Sequence, residues 1–257
     1  MRILGFVGPA GCGKDTASRL LKENKNIVQK NIPIAGPLKE LCSTFFEISP
    51  QFLNAPHLKE KEFATPINLT HRILRRLLKE MPTWVPEINQ KLQIIEYNCD
   101  AVPLNGIENR IVKTPRQLMQ VIGTDLIRNR VWEDWHLRAA FSPKVMDKLN
   151  AWETYAVTDI RFVNELLYLQ DNFPEFEAYY IENPEAEKVL AKATHASETT
   201  ARHLKELLGS DRILKNEGSL EDFAELLVKK FHKLKVAKSS EDVPKKKSRL
   251  VWGTKKL

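Results

Sequence analysis

The chain opens on an apolar run, Ile3–Val7, that ends abruptly at Gly8. Five consecutive non-polar residues read as a strand buried on both faces. The pattern then changes period. Thr16-Ala17-Ser18-Arg19-Leu20-Leu21 belongs to a helix running from Lys14 to about Glu23. A second strand is predicted over Ile27–Ala35, and Gly36-Pro37 introduces a helix over Leu38–Phe46. Further on, Ile73, Leu74, Leu77 and Leu78 place a helix over Ile67–Lys79. Residues 81–113 hold prolines and short β-like runs such as Leu92–Tyr97, which predict a hairpin.

Thr114-Pro115 opens the next helix, with Thr114 as N-cap and Pro115 in the first turn. Leu118, Met119 and Ile122 form its apolar face, and Gly123 is expected to end it. Another helix covers Asp134–Ala140. Short strands follow at Tyr155–Thr158, Ala178–Ile181 and Arg212–Lys215, with charged helical sequence over 184–208 between the last two. Ser219 and Asp222 form a capping box for a final helix through Phe231. No internal repeat is visible. Strands alternating with helices predict an α/β protein whose parallel sheet carries helices on both faces. The implied organisation is a core over 1–46, an inserted region over 47–113, the rest of the core over 114–232, and a tail over 233–257.

Charge changes this picture only at the end of the chain. The formal net charge is +7, and residues 233–257 carry nine Lys/Arg against Glu241 and Asp242. The tail therefore accounts for the whole excess, and the body is formally neutral. Rich in Lys, Ser and Pro, it reads as disordered: either a solubilising tail or a weak contact for nucleic acid or an acidic protein. Cys12, Cys42 and Cys99 are far apart and form no C-x-x-C pair, which suits a reducing cytoplasm and gives no metal-site signal. No apolar run approaches a membrane span and no signal peptide is recognisable, so the chain reads as cytoplasmic.

The chemistry begins where the first strand stops. Gly8-Pro9-Ala10-Gly11-Cys12-Gly13-Lys14 is the pattern G-x-x-x-x-G-K between a strand and a helix. Glycines let the backbone curl so that N–H groups of residues 11–16 point at an anion, and the helix adds its positive end. Lys14 would reach the outer phosphates of a nucleoside triphosphate. The residue after the lysine, ordinarily a hydroxyl ligand for Mg²⁺, is Asp15, with Thr16 one place later. Read without function, the same residues are a glycine-rich turn with a solvated lysine.

A second constellation stands at Asp159 and Arg161. Asp159 ends an apolar run, and Arg161 emerges on the same side of an extended chain. A carboxylate and a guanidinium at a strand's carboxyl end suit a polar site; the bland reading is a surface ion pair.

These residues carry a resemblance. Strand-GxxGxGKDT, Ala35-Gly36-Pro37-Leu38-Lys39, Arg116-Gln117-Leu118-Met119-Gln120 with Gly123-Thr124-Asp125, Asp159-Ile160-Arg161-Phe162, His195-Ala196-Ser197-Glu198 and Asn216 to Glu221 follow in order. The set resembles the deoxynucleoside monophosphate kinases of tailed bacteriophages over residues 1 to about 232. It implies a P-loop kinase with an acceptor-binding insertion that moves the γ-phosphate of ATP to a dNMP with Mg²⁺. Gly8, Gly11, Cys12, Gly13, Lys14, Asp15, Thr16, Asn216 and Gly218 would bind ATP. Asp15, Thr16 and Asp159 would be the metal candidates. Gly36, Lys39, Arg116, Gly123, Thr124, Asp159, Arg161 and Glu165 would bind the acceptor, with Lys14, Arg116, Asp159 and Arg161 acting in catalysis. Trp135 would either stack on the acceptor base or serve as core.

A lid is expected over 184–208, with Lys188, Lys192, Arg202 and Lys205 as cations and His195 on it or on its surface. Relatives often have an arginine where this chain has Asn183, which leaves the lid cation open. The resemblance also implies phage-encoded nucleotide supply in the host cytoplasm and is compatible with a homodimer. Two other readings stand beside it: a P-loop kinase for another small acceptor such as dephospho-coenzyme A, and a non-catalytic nucleotide-binding module that contacts DNA through the tail. Deleting 236–257 separates the last, because a kinase keeps turnover without it.

Overall fold

The computed structural model describes residues 1–25, 27–55, 57–81, 99–190 and 196–232. The basic tail, the run Leu92–Tyr97, Lys192 and His195 lie outside the described residues. A four-stranded, all-parallel sheet has the order β4-β1-β5-β6, with β1 Arg2–Val7, β4 Thr154–Val157, β5 Phe176–Glu182 and β6 Ile213–Lys215. The α/β class expected from strand–helix alternation is the one found.

Alternation along β1 divides the core. Ile3 and Val7 face one side, where Tyr155, Val157, Tyr180, Leu166, Leu169 and Leu204 meet them. Leu4 and Phe6 face the other, against Ala17, Leu21, Ala156, Tyr179, Ile181, Leu227 and Phe231. Phe6 and Phe231 meet edge to face with ring centroids 6.2 Å apart. Both faces are covered, as parallel strands require. Helix α1 (Lys14–Lys25) and the last helix, α11 (Leu220–Phe231), cover the second face.

The expected strand Ile27–Ala35 is corrected. It forms only one isolated parallel bridge, Asn31 to Ala156. It nevertheless runs extended beside β4: Gln29 N donates to Thr154 O at 2.9 Å, Ala156 N to Lys30 O at 3.1 Å, and Ile32 N to Ala156 O at 2.8 Å. Pro33, which has no N–H to donate, stops the ladder before it becomes a regular strand. Helix α2 (Gly36–Phe45) begins immediately afterwards.

A second core lies beside the sheet. It combines α2, α3 (Pro50–Asn54), β2 (Ile67–Leu69), α4 (His71–Glu80), β3 (Arg110–Val112) and α5 (Pro115–Gln120) around Leu38, Leu53, Leu69, Leu77, Val112 and Leu118. This core draws on residues on both sides of the 47–113 insertion, so the insertion does not fold around itself alone. The helix expected over Ile67–Lys79 is corrected at its start: Ile67–Leu69 is a strand pairing antiparallel with Arg110–Val112. Thr70 then caps α4, accepting from Ile73 N. The hairpin expected within 81–113 falls largely on residues 82–98, outside the described residues.

Gly123 does not end its helix. The chain continues past α5 as a π-helix over Val121–Val131, and Trp132 N donates to Ile127 O five residues back. Gly123 is buried against Leu38 of α2, and a Cβ there would collide with the Leu38 side chain. It serves close packing rather than termination. After it come α6 (Trp135–Ala140) and α7 (Pro143–Met146). Helix α8 (Val163–Asn172), not among the elements the pattern predicts, connects β4 to β5 and buries Leu166 and Leu169. Helices α9 (Pro184–Leu190) and α10 (Ala196–Leu208) occupy the expected helical stretch. Among the described residues no helix is long and apolar enough to cross a membrane.

Candidate active site

The carboxyl ends of the strands converge on one edge of the sheet, where open α/β folds carry their ligands. Gly8 follows β1, Thr158 and Asp159 follow β4, Asn183 follows β5, and Asn216 follows β6. The adjacent extended segment delivers Ile34 and Ala35 to the same edge.

The loop after β1 is shaped by three glycines in the left-handed region, Gly8 (φ 143°), Gly11 (φ 79°) and Gly13 (φ 109°). A Cβ on Gly8 would lie 2.7 Å from Ile181 O, and one on Gly13 2.6 Å from Asn216 Nδ2. A Cβ on Gly11 would meet nothing within 4 Å. The loop is therefore packed tightly underneath and open above. Lys14 Nζ donates to Gly8 O at 2.7 Å and Pro9 O at 2.6 Å, lying back along its own loop. Cys12 is fully buried, and burial raises its thiol pKa against the opposing pull of Lys14. It is a packing residue of the loop rather than a reactive thiol.

Asn216 Nδ2 donates to Cys12 O at 2.9 Å, and Asn183 Nδ2 donates to Asn216 O at 2.9 Å. Asn183 Oδ1 accepts from Glu185 N at 3.1 Å and Ala186 N at 3.0 Å, capping α9. Thus Asn183 ties the start of α9 to the phosphate loop. The Asn-Pro step before a helical run was the sequence signal for this cap. Gly218 makes room for the capping box of α11, since a Cβ there would lie 2.6 Å from Asp222 Oδ2.

A polar chain runs beneath α1. Ser18 Oγ donates to Asn31 Oδ1 at 2.6 Å, Asn31 Nδ2 reaches Thr158 Oγ1 at 3.5 Å, and Thr158 Oγ1 donates to Asp15 Oδ1 at 2.6 Å. The chain holds one oxygen of Asp15 toward β4. Sequence reasoning did not single out Ser18, Asn31 or Thr158, because their partners lie on different elements. Thr16 sits half-buried in the first turn of the same helix.

Asp159 has a structural task at this edge. Its Oδ1 accepts from Ile34 N and its Oδ2 from Ala35 N, both at 2.9 Å. Both oxygens thereby fix the backbone that starts α2, so Asp159 positions Gly36 and Lys39. Ile160 is buried in the core. Arg161 is exposed, but its backbone is fixed: Glu165 Oε2 accepts from Arg161 N at 2.6 Å and Phe162 N at 3.0 Å. Glu165 is fully enclosed, and burial lifts its carboxyl pKa to about 7 against those two hydrogen bonds. Phe162 lies under Arg128, whose guanidinium carbon is 3.7 Å from the ring centroid.

Lys39, from the first turn of α2, donates to Asn54 Oδ1 at 3.1 Å. Arg116 pairs with Glu60, and its N–H donates to Lys59 O at 3.0 Å. Lys59 thus reaches the same neighbourhood, half-buried and within electrostatic range of Lys39, Arg161, Arg116 and Asp15. In the sequence it sits in Lys59-Glu60-Lys61-Glu62, an ordinary solvated charge run, and nothing marks it. Thr124 is half-buried on the π-helix, and the neighbouring Asp125 pairs with Arg110 at 2.8 Å. Next to Gly123, His136 is enclosed; burial and then Arg128 lower its pKa to about 4, which leaves it neutral near pH 7.

Of the two readings of Trp135, the structure favours the core. Its side chain is fully buried in the second core, ring centroid 5.3 Å from that of His136. No surface of the ring is open to a nucleobase. Of the expected lid cations, Lys188, Arg202 and Lys205 lie among the described residues. Lys205 pairs with Glu182 at 2.6 Å and lies 5.2 Å from the Tyr180 ring centroid, and Lys188 pairs with Glu185 at 2.7 Å. Arg202 is exposed. Leu204 anchors α10 in the sheet core.

For a bound nucleoside triphosphate and Mg²⁺, the donor set is suitable. The opening above Gly11 accommodates phosphate, and Asp15 retains one oxygen beyond the Thr158 bond, beside the Thr16 hydroxyl. Magnesium takes few protein ligands and completes its shell with water and phosphate oxygens. Among the described residues no group of three or more His, Cys, Asp or Glu could hold a metal ion. No curated protein matches the chain. The family model for deoxynucleotide monophosphate kinase matches residues 2–227. That span runs from β1 into α11 and takes in the phosphate loop, Asp159, Arg161 and Asn216, so the chain belongs to the deoxynucleotide monophosphate kinase family of phosphotransferases.

Proposed function

We propose that the enzyme transfers the γ-phosphoryl group of ATP to deoxynucleoside 5′-monophosphates, giving ADP and deoxynucleoside diphosphates for phage DNA synthesis. The observation that carries this reading is a cluster of cations, Lys39, Arg116 and Arg161, that shares the electrostatic surroundings of Lys59 with Asp15, the residue next to Lys14 of the glycine cradle.

The acceptor's phosphate oxygen is already anionic, so no general base is required. That oxygen bonds to the γ-phosphorus while the bond from γ-phosphorus to the β–γ bridging oxygen breaks, and ADP leaves with those electrons. Catalysis is then alignment plus charge neutralisation. Lys14 leaves the carbonyls of Gly8 and Pro9 for the β- and γ-oxygens. The N–H groups of residues 11–16 hold the β-phosphate. Lys39, Arg116 and Arg161 hold the acceptor phosphate, where an arginine fork grips two oxygens. Asp15 and Thr16 would hold Mg²⁺, which when bound neutralises charge on the β- and γ-phosphates. Asp159 keeps the acceptor-side backbone in register, and Asn183 and Asn216 keep the donor loop in shape.

The test is ADP release from ATP with each of the four dNMPs and their ribose counterparts. Stimulation by at least one dNMP over the no-acceptor rate is expected. No stimulation by any of them overturns the proposal.

A further inference from the structure

We propose that Lys59 is a further acceptor-phosphate ligand, delivered to the site by the loop between α3 and β2. The inference rests on the reading above and adds a residue to it.

The loop is fixed where Lys59 leaves it. Leu58 N donates to Ala55 O at 3.1 Å and Lys59 N to the same oxygen at 3.3 Å. Lys59 O accepts from Arg116 N at 3.0 Å, Glu60 pairs with the Arg116 side chain, and Phe63 N donates to Lys113 O at 2.8 Å. The lysine backbone is therefore riveted to the segment that opens α5, the helix that carries Arg116.

The side chain is treated differently. Lys59 is half-buried, and among the described residues its ammonium makes no hydrogen bond or ion pair. Arg116 has Glu60 and Lys39 has Asn54. Lys39, Arg161 and Arg116 lie within electrostatic range of Lys59 and oppose its charge, while Asp15 favours it. Burial first, then these three cations, lower its pKa. A half-buried, unpaired ammonium among like charges is costly, and the surrounding fold holds it there. A dianionic phosphate relieves both burdens, supplying acceptor oxygens and cancelling the repulsion. An exposed lysine of a solvated loop would show neither the enclosure nor the cationic surroundings.

Steady-state kinetics of the whole enzyme with Lys59→Met and Lys59→Arg test this. Loss of a charge-assisted hydrogen bond should raise KM for the dNMP about 10- to 100-fold in Lys59→Met, with KM for ATP and the melting temperature close to wild type. Lys59→Arg should recover most of the loss. Calorimetry gives a second readout: phosphate binding raises the lysine's pKa, so wild type takes up protons from alkaline buffer when dNMP binds. Lys59→Met should take up fewer. An unchanged dNMP KM in Lys59→Met, beside an active wild type, overturns this role and leaves the proposed function intact. Equal rises in both KM values with a lowered melting temperature mark a structural residue and also overturn it. A wild type that turns over no dNMP overturns both proposals.

Discussion

The two sides of the sheet edge are built on opposite plans. On the donor side the phosphate loop is satisfied from within. Lys14 rests on Gly8 O and Pro9 O, Asn216 holds Cys12 O, and Thr158 holds Asp15. On the acceptor side, Lys39, Lys59, Arg116 and Arg161 arrive from four segments, and their charges repel one another. Their backbones are secured by Asp159 under Ile34 and Ala35 and by Glu165 under Arg161 and Phe162, while the Lys39 and Arg116 side chains also meet Asn54 and Glu60. A contiguous loop can bind phosphate with N–H groups already aimed by glycine geometry. A site assembled from distant side chains needs a scaffold of buried carboxylates and completes its electrostatics only when an anion arrives.

The sharpest way to break the contrast is Lys14→Ala. Its present partners are two carbonyls of its own loop, so folding should be little affected while turnover falls ~10³-fold or more. Near-normal turnover would reduce the loop to a turn. Next comes Asp159→Asn, which sets an amide NH₂ against one of two backbone N–H donors. Urea unfolding should report a loss of about 1–3 kcal/mol. The KM for dNMP should rise more than that for ATP. An unchanged midpoint would remove Asp159 from the scaffold.

The smallest effect is a pH slope from Glu165. Its folded pKa is raised to about 7 from an ordinary 4.5. Below 4.5 both states are protonated and the contribution is fully present. Between 4.5 and about 7 the unfolded chain has released a proton that the folded protein keeps. Stability therefore falls as pH rises through that window, by roughly 1–3 kcal/mol, and the contribution is gone above it. Glu165→Gln should flatten this part of the stability profile; an identical slope in the variant would assign it to another group.

The donor side was legible in the sequence because its residues are contiguous. Gly8, Gly11, Gly13 and Lys14 carry their geometry in their spacing, and the structure puts all three glycines at positive φ. The acceptor side was legible only through an ordered resemblance, and its details shifted. Asp159, read as a candidate for metal and acceptor, also braces the backbone of Ile34 and Ala35. Trp135 was open between base and core and is found in the core. Gly123 was expected to stop a helix that instead widens and continues. Asn183 looked like a missing cation and is a helix cap wired to the phosphate loop. Each of these outcomes depends on residues far away in sequence, such as Ile34 for Asp159, Leu38 for Gly123, Asn216 for Asn183 and the second core around Trp135.

By itself, then, the sequence determined the parallel α/β architecture and the place and chemistry of the phosphate loop, since hydrophobic period and glycine spacing are local properties of the chain. It also located the charge excess in residues 233–257. The tertiary structure decided which of many cations meet. Lys59 in Lys59-Glu60-Lys61-Glu62 is indistinguishable from its neighbour Lys61 along the chain. Only packing of the α3–β2 loop against α5 encloses one ammonium among Lys39, Arg116 and Arg161, because burial and long-range electrostatics are properties of the folded surface and not of the residue.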